Sequence, residues 1–415
     1  MNIYDYIIIG GGISGIYSLY NLNKSNNQNK SINLNKILLI EKEDYLGGRI
    51  LNKTFHSEKI RLGAGVAKDD NHHLMRLLKK LKIKYFRIQG EKTIIDRNFN
   101  KSYHFEIIKK IKSTIKKLKR ENIEYSHLTV RQFLHKYLTK EEYESYINNL
   151  QYAEYLDGDI NYYVNNDPMY DDNVVGKYFM RIVDWDVLLK KLLAGCKKSQ
   201  IKKKIECKSI RKVKINGEDY FLIDTDKDKY LCKKVICALT INVFNKITSK
   251  LDIPDYSKII GSIPFSRIYT FHKNGHNFIS EKTKTFNVML NKNNLHKIIL
   301  MGDKILMASY TNGPKSDYWN KFKSKQKLLE KVDKELKKII PTTNNVDDII
   351  FKYWKEGVHY YKPLKSENLN KIIKKLQNPI KNFYVVGEML SHGQGWVNGA
   401  IESVDNISDL VKHNK

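Results

Sequence analysis

Cysteine is scarce: four residues in 415, Cys196, Cys207, Cys232 and Cys237, none in a CxxC pair and none spaced with histidine as a metal-ligand set. That pattern excludes a disulfide-stapled miniprotein and predicts free thiols without a structural metal, as in a reducing compartment. With 22 glycines and seven prolines the chain is neither collagen-like nor low-complexity, and its 41% apolar content argues against global disorder. Long hydrophobic runs are missing too. Stretches such as Ile7 to Ile9 and Ile37 to Ile40 are strand-sized, far below the roughly 18 residues that cross a bilayer. No basic leader or apolar signal core precedes the first strand, and Val411 to Lys415 shows no lipid-anchor box or peroxisomal tripeptide. The expected location is therefore the cytosol. No internal repeat is visible.

Positive charge is what the chain has in excess. Its 74 basic and 45 acidic residues leave +29, a balance that favours nucleic acid or anionic surfaces. The excess is mostly lysine spread along the chain with abundant Asn and Ile, as an AT-rich coding sequence produces. In Lys109 to Arg120 the lysines leave isoleucines and Leu118 on one helical face, the pattern of a solvated surface. A nucleic-acid partner is therefore the less favoured reading. The length fits two to three domain-sized units of roughly 150 residues.

The order of elements predicts an α/β chain. Residues 3 to 9 read as a strand, Ile16 to Leu22 as a helix, Asn23 to Asn35 as an exposed loop, and Lys36 to Ile40 as a strand ending at Glu41. Residues 68 to 150 read as largely helical, with helical spacing in Leu74 to Leu81, Ile107 to Leu118 and Val130 to Leu150. A helix is expected over Asp184 to Gly195 and strands over 205–215, 219–224, 230–238, 259–272 and 297–310. An amphipathic helix over Lys321 to Ile340 and a buried strand at Phe383 to Val386 follow. This order predicts interleaved domains.

Gly10, Gly12 and Gly15, with Ser14 between them, have GxGxxG spacing where a strand turns into a helix. Gly10 allows the tight turn, Gly12 lets the backbone approach a pyrophosphate, and Gly15 permits close packing of helix on strand. The helix N-terminus offers N–H groups and partial positive charge to the phosphates. Glu41 ends the next strand, where a carboxylate accepts hydrogen bonds from ribose hydroxyls. Together these features predict dinucleotide binding.

Leu46-Gly47-Gly48-Arg49-Ile50, just beyond Glu41, resembles the second glycine doublet of the FAD-containing amine oxidoreductases, the family of monoamine, polyamine and L-amino-acid oxidases. The resemblance lays Gly48 and Arg49 along the FAD pyrophosphate, an anion that a guanidinium suits. Phe383 to Glu388 and Gly395 to Ser403 resemble the family's closing strand, Gly-Glu turn and Gly-aromatic-x-x-Gly-Ala helix start. By that likeness Gly387-Glu388 supplies a carboxylate to the ribityl chain. The backbone of residues 396 to 399, Val397 included, faces the flavin pyrimidine and stabilises negative charge on it. Cys207 to Ile210 resembles the adenine-side strand. Val183-Asp184 and Leu188 stand where the family often has Gly-Gly. The implied fold is a Rossmann-type FAD-binding domain (1–67, 177–255 and 378–415) interleaved with a mixed-sheet and helical substrate domain (68–176 and 256–377).

The activity implied by the resemblance is hydride transfer from an amine-bearing carbon to flavin N5, giving an imine, with dioxygen as the acceptor and hydrogen peroxide released. No cysteine lies near 354 to 361, so FAD is expected to be noncovalent. Trp396 takes the aromatic place beside the flavin, and Tyr360 or Tyr361, in the segment opened by Trp354, is expected to form a second wall. His359 suits acid–base work near neutral pH. Arg267 falls where several relatives place a lysine; it cannot act as a base, a departure that bears on reactivity with oxygen. Leu62 to Ala67 offers no arginine to clamp an amino-acid carboxylate, so a polyamine or primary amine is favoured. Glu154, Tyr155, Asp157, Asp159, Tyr162, Tyr163 and Asp167 mix carboxylates and rings in a way that suits a polyamine, although a solvated acidic loop is the commoner origin of such a stretch. Two alternatives stand beside this reading. One is an FAD enzyme acting on a non-amine substrate, as a desaturase or porphyrinogen-oxidase relative would. The other is a noncatalytic flavin-fold protein with a basic surface for nucleic acid or assembly.

Overall fold

The computed structural model describes residues 2–29, 33–89, 93–95, 101–150, 152–165, 179–278, 288–365 and 367–413. The first strand, Ile3–Ile9, runs parallel to Ile37–Ile40 on one side and to Lys229–Cys237 on the other. Ile201–Lys202 extends the sheet beyond Ile37–Ile40. The second half of Lys229–Cys237 pairs in parallel with Phe383–Val385, and its first half pairs with the antiparallel hairpin Cys207–Ile215 and Glu218–Thr225. N-terminal, middle and C-terminal segments thus share one sheet. Tyr6 and Ile8 pack towards helices Ile13–Asn29, Trp185–Leu193 and Val397–His413, and Ile7 and Ile9 towards helices Ile241–Ile247 and Leu369–Gln377. Burial of both faces explains why this strand is an apolar run rather than an alternation.

Helix Ile13–Asn29 continues through residues 23–29, which composition predicts as loop. Asn23 and Ser25 donate back to the Leu19 and Asn21 carbonyls, and a nucleated helix propagates through weak helix formers.

The second sheet runs in the order Asp348–Tyr361, Ile260–Phe271, Ile305–Asn312, Lys297–Leu300, Val288–Leu290 and Thr93–Ile95. Residues 297–310 are therefore two strands, joined by a turn at Gly302 with φ +136°. One face, with Ile268, Leu306, Ala308 and Ile349, packs on Leu328, Val332 and Leu336 of helix Lys325–Ile339. The opposite face, with Arg267, Tyr269 and Met307, lines a cavity between the two sheets.

Helices Lys101–Arg120, Val130–Tyr137, Lys140–Asn149 and Ile160–Asn165 form a separate core around Ile107, Ile111, Phe133 and Leu134. Val130 to Leu150 is two helices, because Thr139 starts the second with a capping box to Glu142, just as Thr129 and Gln132 start the first. Strands Tyr85–Gln89 and Thr93–Ile95 interrupt the region predicted as helical. Among the described residues no helix is long and apolar enough to cross a membrane.

Candidate functional site

Two glycine loops build one end of the cavity. Gly10 has φ +104°, and a Cβ there would lie 2.5 Å from the Ala238 carbonyl oxygen. A Cβ on Gly15 would lie 2.0 Å from the Gly10 oxygen, so Gly15 serves helix-on-strand packing and is not on the cavity wall. Gly12 is different: it lines the cavity, and nothing lies within 4 Å of its Cβ position. The second loop is stitched to the first by Gly47 N–H donating to Gly11 O at 2.8 Å. Gly47 and Gly48 have φ of +109° and +56°, and a Cβ on Gly48 would lie 3.3 Å from Gly12 Cα. Glu41 holds the first loop by accepting from Gly11 N–H at 2.5 Å and from Glu43 N–H at 2.8 Å. The Ser14 hydroxyl donates to Ala400 O at 3.2 Å, tying the first helix to the closing one. Burial raises the Cys207 thiol to about 12, with Asp224 and Glu206 adding to the effect; Cys207 lines the cavity as an inert thiol.

Glu388 is the hub between the sheets. Oε1 accepts from Arg49 Nη1 at 2.7 Å and from His359 Nδ1 at 2.5 Å, and Oε2 accepts from Gly395 N–H at 2.9 Å. Burial opposes its ionisation, but the His359 ring and the Arg49 guanidinium outweigh burial and hold the carboxyl well below the usual range. Arg49 also donates to Gly357 O at 2.9 Å. Gly387, φ +140°, turns the closing strand into Glu388 and donates its N–H to the Ser403 hydroxyl. His359 is 1% exposed, and its Nε2 accepts Ile241 N–H at 3.2 Å. Both ring nitrogens are therefore occupied, with the proton on Nδ1. His359 also lines the cavity, and held in this way it positions Glu388.

The expected wall at Tyr360 or Tyr361 is corrected. Neither lines the cavity. Tyr360 packs in the helical core, its ring over Gly261, and the Tyr361 hydroxyl donates to Ser391 O at 2.9 Å. Phe265 pairs with Trp354 and Ile263 with Val358, so residues 355–357 bulge opposite Pro264 and the two extra residues leave the alternation in phase; the same face of the strand meets the cavity at Trp354 and the helical core at Tyr360. Trp354 is the wall instead, with Nε1 donating to Leu62 O at 2.8 Å and the Lys352 ammonium 4.4 Å over its ring. Trp396 and Val397 line the cavity at the start of the closing helix, with the Lys68 ammonium 4.4 Å from the Trp396 ring centroid. Sequence reasoning missed Tyr152, Tyr310, Lys68, Lys297 and Arg61, all on the wall.

Of the stretch read for polyamine binding, Tyr155, Tyr162 and Tyr163 line the cavity and Asp157 and Asp159 do not; the Glu154 side chain lies outside what is described. Asp159 accepts from Tyr162 N–H and Leu364 N–H, and Asp157 pairs with Arg131. Asp167 lies outside the described residues.

The flavin-containing amine oxidoreductases match residues 185–411 and an NAD(P)-binding Rossmann-like domain matches residues 8–81. The first match spans more than half of the chain, which belongs to the flavin-containing amine oxidoreductase family. Membership implies a flavin cofactor. The fold is similar, over 100% of both chains, to the crystal structure of the protein named Putative protoporphyrinogen oxidase from Exiguobacterium sp. 255-15, with a TM-score of 0.72 and 14% identity. A curated relative, Uncharacterized protein R188 of Acanthamoeba polyphaga mimivirus, is 36% identical over 73 residues, which cover 18% of this chain and 14% of that relative's length.

Proposed function

We propose that this chain is an oxidoreductase that binds FAD noncovalently in the cavity and oxidises a small molecule at an amine-bearing carbon, with dioxygen as the acceptor. The observation that carries the reading is the pair of stacked glycine loops whose Gly12 Cβ position opens onto a cavity of about 1440 Å³. That volume exceeds the roughly 300–1,000 Å³ of an ordinary single-ligand pocket and suits a dinucleotide with a substrate beside it. The N-terminus of helix Ile13–Asn29, Gly12, Gly48 and the outer edge of Arg49 would hold the pyrophosphate, and Glu41 the adenosine ribose. The inert Cys207 thiol supports noncovalent attachment. Bound flavin supplies an acceptor for the substrate's hydride equivalent. The chain's own part is to hold and dry the reacting carbon: Trp354 and Trp396 wall it, and the Glu388 hub fixes the turn that begins the closing helix.

The division into an FAD-binding domain (1–67, 177–255 and 378–415) and a substrate domain (68–176 and 256–377) is supported by the two large sheets, whose strands separate along those ranges, while a small sheet of Ala67–Lys68, Phe179–Val183 and Tyr85–Gln89 joins the two. Asp157 and Asp159, the carboxylates of that stretch whose side chains are described, are engaged away from the cavity, which favours a second reading, a substrate that is not a polycation. Gly12→Val tests the cofactor site: the variant should fold, because nothing opposes its Cβ, yet purify without flavin. Stoichiometric flavin in Gly12→Val would refute the assignment.

A further inference from the structure

The end of the cavity formed by the second sheet is lined by cations. On strands Ile260–Phe271 and Lys297–Leu300, and on Asp348–Tyr361 as far as Trp354, the charged lining residues are Arg267, Lys297 and Lys352, and among the described residues no carboxylate joins them there. Arg61 completes the group from strand Glu58–Arg61. Glu356, further along the same strand, also lines the cavity, and its two oxygens accept from the Thr240 hydroxyl and Asn242 N–H. Arg267 is 4% exposed; its Nη1 donates to Arg61 O at 2.8 Å and its guanidinium lies 4.9 Å from the Tyr310 ring centroid. Lys297 lies 5.2 Å over the same ring. The Nε atoms of both Arg61 and Arg267 are buried without a hydrogen-bond partner. A Cβ on Gly65 would lie 3.0 Å from Arg267 Nη2, so the glycine leaves that edge of the guanidinium clear.

The phenols of Tyr269 and Tyr310 flank Arg267, the two guanidiniums repel one another, and the carboxylates of Asp184 and Asp186 act on Arg61 from outside this group. Buried positive charge with unfilled donors and, among the described residues, no carboxylate at ion-pair distance is costly unless an anion completes it, and a planar fork of N–H donors between aromatic rings fits a carboxylate. We propose that the substrate carries a carboxylate seated between Arg61 and Arg267, so that the cavity selects an anionic or zwitterionic molecule over a polyamine. This rests on the oxidoreductase reading of the same cavity.

The test is titration of the flavin-loaded protein with benzoate, benzamide and benzylamine, three probes of one shape and different charge, followed by flavin absorption and by calorimetry. Benzoate should bind about tenfold or more tightly than either other probe. Arg267→Gln and Arg61→Gln should each remove about that factor while leaving benzamide unchanged, and Arg267→Lys should keep part of it. Flavin content and melting temperature show that each variant is folded. Equal affinities, tighter benzylamine or no benzoate binding would overturn the proposal. So would an Arg267→Gln variant with unchanged benzoate affinity and a lowered flavin reduction potential, which would assign the cation to charge on the reduced flavin. A protein that takes up no FAD would instead refute the reading of the cavity, and calorimetry with benzoate would still test the arginine pair in that protein.

Discussion

Gly12 and Gly15 stand three residues apart in one motif, and the structure assigns them opposite tasks. At Gly15 a side chain meets backbone at 2.0 Å; at Gly12 it meets nothing. Gly15→Ala should therefore lower thermal stability, by about 1–3 kcal/mol or more as overpacking does, whereas Gly12→Val should leave stability intact and lose flavin. Thermal melts with flavin quantitation separate the two. His359 makes a second case at this scale. His359→Ala should destabilise the protein by about 1–3 kcal/mol, since it strips a donor from buried Glu388. The pH profile of turnover in His359→Gln should keep the wild-type shape; a lost limb in that profile would support the acid–base role. The glycine spacing is legible in sequence because only that spacing makes the turn. The difference between Gly12 and Gly15 is not, since it depends on what faces each Cβ from remote segments.

Among the elements, the closing helix Val397–His413 and the loop before it carry the site and are clamped by a titrating pair. His392 Nδ1 lies 2.5 Å from Glu402 Oε1, and its Nε2 lies 2.6 Å from Asn370. The bond to Glu402, working against burial, raises His392; burial of Glu402 is outweighed by His392, so its carboxyl is lowered. A raised histidine stabilises fully below its unfolded value of about 6.5 and loses that contribution as pH rises through the folded value; a lowered carboxylate stabilises above about 4.3 and loses it on acidification. The pair is therefore strongest between about pH 4.3 and 6.5. His392→Gln should lower the melting temperature most near pH 5.5 and least near pH 8.5, with a maximum effect below about 1 kcal/mol because His392 is half-exposed. A penalty that grows towards pH 8.5 would contradict the pairing. Strand Asp348–Tyr361 shows where element reading stops. Its lysines, glutamate and glycine hide the period-2 pattern, and on either side of the bulge opposite Pro264 one face meets the cavity at Trp354 and the helical core at Tyr360. What covers each end of that face comes from segments remote in sequence, which local patterning does not contain.

For the molecule as a whole, both ends of the chain were readable because the Rossmann-type sheet is built from short, locally specified turns. The second sheet was only partly readable, its pairings being long-range. The charge illustrates the same limit. The net +29 reads as a solvated surface, yet Arg61, Arg267 and Lys297 gather inside the cavity, a convergence that composition cannot express. Flavin binding and oxidation in that cavity are the central claim, and anaerobic visible absorption of the purified protein tests it most directly. The spectrum should show flavin bands at about one per chain, released to the supernatant on denaturation, and bleached on addition of a substrate from a panel pairing amino acids with their decarboxylated amines. A colourless protein that takes up no added FAD would contradict the account.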